Sequence, residues 1–211
     1  MLGAVEEAVA ALSPRTEQSI LEALRSVEHA LTEARLDHMV IGGIAVIAQG
    51  VPRHTDDIDA TVWAEPVDVD SLIGVLASNG IEPRIDDARE FAMQNQVLLL
   101  RHIPTGTPME ISLSWLPFER EALERAEVLD FAGVKTRVAT PEDIGIFKAV
   151  AWRDRDRSDI EKLLVRHGAR MNLERIRSVV EQFSAVLEEP ERMSLLEEII
   201  ARALGAPPRD R

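Results

Sequence analysis

The chain of 211 residues contains no cysteine, which excludes disulfides, thiolate metal centres and cysteine nucleophiles together. It also has no excess of basic charge: 24 lysines and arginines face 37 aspartates and glutamates, for a formal net charge of -13. A field of that sign repels polyanions at long range, so extended DNA or RNA binding is disfavoured. A small anion such as a triphosphate, or one end of an RNA, suits it better, with Arg153-Asp154-Arg155-Asp156-Arg157 as a local concentration of guanidinium groups. No uncharged apolar run reaches about eighteen residues, which argues against a membrane span. The start, Met1-Leu2-Gly3-Ala4-Val5-Glu6-Glu7, lacks the basic opening and long apolar centre of a secretory leader. A cytoplasmic location is therefore expected. The histidines are scattered without zinc spacing. A Walker lysine and a Gly-x-Gly-x-x-Gly loop are both missing, and Thr61 and Val62 stand where an EF-hand would need a ligand and a glycine.

What is present is 45% hydrophobic and 29% charged residues, enough for one globular domain or a domain with a helical extension. Ile20, Leu24, Val27, Leu31 and Ala34 recur every three or four positions and predict a helix over 16–36, started by Ser13-Pro14. His38 to Ile41 reads as a short buried strand ended by Gly42-Gly43. A helix from Ile44 to Gln49 follows and is stopped by Gly50 and Pro52. Residues 57–63 alternate as a strand, 68–78 as a helix, and 97–103 with 109–115 as strands joined through Pro104-Thr105-Gly106-Thr107-Pro108. A smaller hairpin spans 128–131 and 134–138. Beyond it the strand signals stop. Thr140-Pro141-Glu142-Asp143 starts a helix, and helices are expected at 141–152, 157–167, 172–187 and 190–204. The expected organisation is a mixed α/β core with an N-terminal helix over residues 1–139, a helical part over 140–204, and a disordered tail at 205–211. The fold class is α+β, a mixed sheet flanked by helices.

Gly42-Gly43 and Asp57-Ile58-Asp59 are the chemically suggestive features. Glycine lets the backbone approach a ligand closely, and free amides attract anions. Strand alternation sends Asp57 and Asp59 to one side with Ile58 beneath them. Paired carboxylates suit hard cations such as Mg²⁺ or Mn²⁺, and two such ions can activate a hydroxyl and neutralise a leaving pyrophosphate. In Met109-Glu110-Ile111-Ser112-Leu113-Ser114 the same alternation places Glu110 on a polar face. Arg53 and Thr55, on the loop before the acidic strand, offer a phosphate contact.

The order Val40-Ile41-Gly42-Gly43, Gly50, then Arg53-His54-Thr55-Asp56-Asp57-Ile58-Asp59 resembles the signature of the DNA polymerase beta-like nucleotidyltransferase superfamily. Within it the chain looks most like the minimal nucleotidyltransferases that include the AbiEii toxin group. The resemblance covers about residues 38–165. It implies a nucleotidyltransferase-type sheet and transfer of a nucleoside monophosphate from an NTP to a hydroxyl of a protein, an RNA or a small molecule. It also implies a third acid at Glu110, longer by one methylene than the usual aspartate, and a metal set of Asp57, Asp59 and Glu110. Nucleotide binding falls to Gly42, Gly43, Arg53, Lys148 and Asp159, and a toxin of this group would have a cognate antitoxin as partner. The alternative is a nucleotidyltransferase-like module that binds NTP without catalysis. A metal-dependent glycosyltransferase using Asp57-Ile58-Asp59 is disfavoured by the Gly-Gly turn and the short length.

Lys148 and Asp159 are eleven positions apart, roughly 16 Å along a continuous helix, too far for both to touch one phosphate. Either the helix breaks around 153–156, which is the expected case, with Asp159 orienting Lys148 or an arginine, or only Lys148 reaches the triphosphate. Arg155 is expected on a solvated face. Trp63, Trp115 and Trp152 are expected in core or rim packing, although Trp152 is close enough in sequence to Lys148 to stack on a base.

Overall fold

The computed structural model describes residues 2–63 and 68–205, and the chain divides into two compact units, residues 1–139 and 140–211. The first contains α1 (Leu2–Val9), α2 (Pro14–Glu33), β1 (His38–Ile41), α3 (Gly42–Ala48), β2 (Ile58–Trp63), α4 (Val69–Ser78), β3 (Ile81–Pro83), α5 (Ala88–Asn95), β4 (Val97–His102), β5 (Pro108–Ser114), α6 (Pro117–Arg125), β6 (Glu127–Phe131) and β7 (Val134–Val138). Its strands form one seven-stranded sheet in the order β3-β4-β5-β2-β1-β7-β6. The β1–β7 and β2–β5 pairs are parallel and the others antiparallel. This is the mixed α/β class expected from the sequence.

Local signals explain the elements. Ser13 caps α2 by accepting a hydrogen bond from the Thr16 amide, with Pro14 at the first helical position. Such a cap satisfies a donor that the helix itself leaves open. Ile20, Leu24, Val27 and Leu31 then form its buried stripe. In β2 the buried apolar residues are Ile58, Ala60 and Val62, and in β5 they are Met109, Ile111 and Leu113. One face of the central strands is therefore committed to the core, and the other is left for polar residues.

Several elements differ from the sequence reading. The helix expected from Ile44 begins at Gly42, because Gly42 turns the chain at φ +62 and allows helical geometry directly at the end of β1. Helices α1, α5 and α6 and strand β3 were not expected. For α6 a signal exists: Pro117 at the first turn and Glu119, whose carboxylate accepts from the amides of Trp115 and Leu116 at 3.0 and 2.9 Å. At three residues, β3 is too short to show alternation.

The second unit consists of α7 (Pro141–Ala151), α8 (Asp154–His167), a 3₁₀ turn at Gly168–Arg170, α9 (Leu173–Val186) and α10 (Glu191–Leu204). Thr140 caps α7, its hydroxyl accepting from the Asp143 amide at 3.2 Å and donating to the Asp143 carboxylate at 2.7 Å. The fully buried Asp143 also meets Arg175 of α9 at 2.9 Å, fastening the two helices. Arg192 of α10 donates to the carbonyls of Ala149 and Val150, the acceptors that the end of α7 leaves open. Gly205 ends α10 at φ +64. Residues 206–211, the rest of the expected disordered tail, lie outside the described residues. No described helix is long and apolar enough to cross a membrane.

Candidate active site

The site is built on the polar face where β1, β2 and β5 run side by side. Asp59 is in register with Ile41 of β1 on one side and with Glu110 of β5 on the other. In-register residues of neighbouring strands share a face and stand about 4.8 Å apart. Asp57 lies two positions before Asp59, on the same face, just ahead of β2. The structure thus sets Asp59 beside Glu110, with Asp57 two residues ahead of Asp59, and all three are half-buried. Further along this face Thr61 and Ser114 are buried and hydrogen-bonded to each other. There α6 packs on β2, with Arg120 over the Trp63 ring at 5.4 Å.

The glycine pair fits around these acids with no space for side chains. A Cβ on Gly42 would lie 2.6 Å from both Cβ and Cγ of Asp59. A Cβ on Gly43 would lie 2.5 Å from Arg53 Nη1 and 2.8 Å from Thr55 Cβ. The loop before β2 is thereby pressed against the start of α3. Thr55, 2% exposed, donates from its hydroxyl to Asp57 Oδ1 at 2.6 Å, which fixes that carboxylate. His54 is exposed. Glu110 is engaged from the sheet edge, Arg84 Nη2 meeting its Oε1 at 3.0 Å. The sequence reading did not include Arg84, and its position after a three-residue strand carries no periodic signal.

The donor set of Asp57 and Asp59, carboxylate oxygens with no soft ligand beside them, fits a hard divalent cation. The packing of Gly42 on Asp59 and the Thr55 hydrogen bond hold those two carboxylates in place. Among the described residues no three acidic or histidine side chains are already grouped to hold an ion. Glu110 instead forms its ion pair with Arg84.

In the helical unit, α7 ends at Ala151 and α8 begins at Asp154, so the chain breaks between Lys148 and Asp159 as expected. Trp152 makes it with φ +55, and Asp156 accepts from the Arg153 amide at 2.9 Å. The folding back brings Lys148 Nζ within 3.1 Å of Asp156 Oδ1 and 2.7 Å of Asp159 Oδ2. All three residues are buried. Asp156 was missed, although it lies one helical turn before Asp159 on the same face. Arg155 is exposed, and Trp152 lies beneath Arg157 and Arg192 at 5.9 and 6.0 Å.

Residues 18–202 match the family described as "Nucleotidyltransferase of unknown function (DUF6036)". No curated protein matches significantly. The solution structure of the antibiotic-resistance factor ANT(2'')-Ia is similar in fold, with a TM-score of 0.55 at 20% identity over 80% of this chain and 95% of that one. A crystal structure of ANT(2'')-Ia in complex with adenylyl-2''-tobramycin gives 0.54 at 18% identity, covering 81% and 98%. The family model spans most of both units, and on that ground the chain belongs to this nucleotidyltransferase family.

Proposed function

We propose that the protein is a divalent-metal-dependent nucleotidyltransferase that moves a nucleoside monophosphate from an NTP to a hydroxyl acceptor. The observation that carries this reading is the alignment of Asp59 with Glu110 across parallel strands, with Gly42 packed on Asp59. Asp57 and Asp59 would hold Mg²⁺ or Mn²⁺, which supplies charge neutralisation of the triphosphate. The amides of Gly42 and Gly43, with Arg53, lie beside the acids and bind the phosphates. Glu110 takes the proton of the acceptor hydroxyl as its oxygen bonds to the α-phosphorus and the bond to the departing pyrophosphate breaks. Lys148 and Asp159 join the nucleotide-binding set on the motif order alone.

The acceptor classes are a protein, an RNA end or a small molecule. The net charge of -13 weighs against long nucleic acids. A toxin role, with a kinship to the AbiEii group and an antitoxin partner, and a cytoplasmic setting are finer parts of the same proposal. The toxin role, the kinship and the antitoxin partner rest on the sequence resemblance.

The test is incubation with Mg²⁺, a lysate and each of the four α-labelled NTPs, followed by separation of protein, RNA and small-molecule fractions. Label is expected in one fraction. Glu110→Gln should slow its appearance by about 10²- to 10⁴-fold, the scale of a lost general base. Labelling by wild type and Glu110→Gln at the same rate would exclude the assigned chemistry, and NTP binding with no labelled fraction would favour the non-catalytic module.

A further inference from the structure

Arg84 lies at the end of a row of residues that leads directly to the acids. Its amide donates to the Leu99 carbonyl at 2.9 Å, extending the β3–β4 ladder by one position. Leu99 is in register with Glu110, and Glu110 with Asp59. The Arg84 guanidinium passes over the intervening strand to reach Glu110 Oε1 at 3.0 Å. The side chains of this pair are 26% and 44% exposed, and ion pairs so open to water contribute little to stability. Its place in the acidic row points to orientation of Glu110 instead. A glutamate has one more rotatable bond than an aspartate, so an untethered Glu110 carboxylate could turn toward Asp59 or toward the sheet edge.

Resting on the function proposed above, we propose that Arg84 is a positioning residue that holds Glu110 out of the metal's ligand set. The cation is then held by Asp57 and Asp59, and Glu110 is kept for the acceptor. A guanidinium at one carboxylate oxygen disfavours a divalent cation at the same group through charge repulsion. It leaves Oε2 to accept the hydroxyl proton while the new oxygen–phosphorus bond forms and pyrophosphate departs. The absence of a three-acid cluster among the described residues agrees with this division of roles. The methylene that distinguishes Glu110 from an aspartate gives it the reach to meet Arg84.

The probe is Mn²⁺ alone, titrated by electron paramagnetic resonance into the full chain and its variants. Glu110→Gln should leave the Mn²⁺ affinity within about twofold of wild type, while Arg84→Ala should tighten it about three- to tenfold by releasing Glu110, a coupling normal for contacting charges. The double variant Arg84→Ala plus Glu110→Gln should return to the wild-type value, and Arg84→Lys should stay near it. Melting temperatures of the Arg84 variants should lie within about 2 °C of wild type, as for an exposed pair. A large loss of Mn²⁺ affinity in Glu110→Gln, or no tightening in Arg84→Ala, overturns the assignment. Asp57→Asn plus Asp59→Asn serves as the separate arm. Loss of Mn²⁺ there supports the metal reading, and undiminished binding there overturns that reading itself.

Discussion

Gly42→Ala should abolish measurable nucleotidyl transfer and lower stability by about 2–4 kcal/mol, combining backbone strain with a steric clash. Two effects act together at this position. Gly42 has φ +62, a conformation that costs an L-residue roughly 1–2 kcal/mol. The added Cβ would also stand 2.6 Å from Asp59 Cβ, so rotating the Asp59 carboxylate does not relieve the clash. Asp59 must move as a whole, and with it the register between β2 and β5 that sets its distance to Glu110. A 1 Å misplacement of a reacting group can cost about a hundredfold in rate. Gly43→Ala lacks the positive φ and meets side chains of Thr55 and Arg53, so its effect on stability should be smaller. Gly74→Ala is the control: it lies within α4 with nothing within 4 Å of its Cβ position, and helix propensity favours alanine there by up to about 1 kcal/mol. Thermal melts and transfer rates of the three variants decide the matter. Gly42→Ala with wild-type activity would show that the close approach to Asp59 is irrelevant.

Lys148→Met should destabilise the helical unit by about 3–5 kcal/mol, the usual consequence of removing one partner from a buried ionic cluster. Lys148 is 6% exposed, Asp156 8% and Asp159 3%. Without the ammonium, two carboxylates face each other out of water, at the point where α7 turns into α8. For a protein of this size each kcal/mol shifts the melting temperature by about 2–4 °C, so a drop of roughly 10 °C is expected. Lys148→Met together with Asp159→Asn removes one of the stranded charges and should recover part of the loss. The same variants separate the two roles open to this lysine. An unchanged melting temperature with weakened NTP binding would mean that phosphate contact, and not the salt-bridge cluster, is its main task.

How much of this could be read from the sequence depends on how local each signal is. The alternation of Ile58, Ala60 and Val62 against Asp57 and Asp59 identifies both a strand and its polar face, because the side-chain period of a strand is a property of a few consecutive residues. The caps at Ser13 and Thr140 are equally local. Strand adjacency is not. Alternation places Glu110 on a polar face but does not say which strand lies beside β5, and α4, β3, α5 and β4 separate it in sequence from β2. The family resemblance implies that Glu110 joins Asp57 and Asp59, and the sheet order then puts it next to Asp59. Arg84 is harder still, since its contact spans two strands from the end of a three-residue one. In the helical unit the length of a helix favoured a break between Lys148 and Asp159 over a lysine acting alone. Nothing in that length revealed that Trp152 would adopt a left-handed conformation to make it, or that Asp156 would join the pair.

A metal-dependent NTP site at Asp57 and Asp59 makes nucleotide binding conditional on both the cation and the two carboxylates. It is tested most directly by titrating each of the four NTPs into wild-type protein and into Asp57→Asn plus Asp59→Asn by calorimetry, with Mg²⁺ and with chelator. Binding of at least one NTP to wild type is expected, requiring Mg²⁺ and lost in the double variant. Equally tight binding to both proteins, with Mg²⁺ or without, would contradict it.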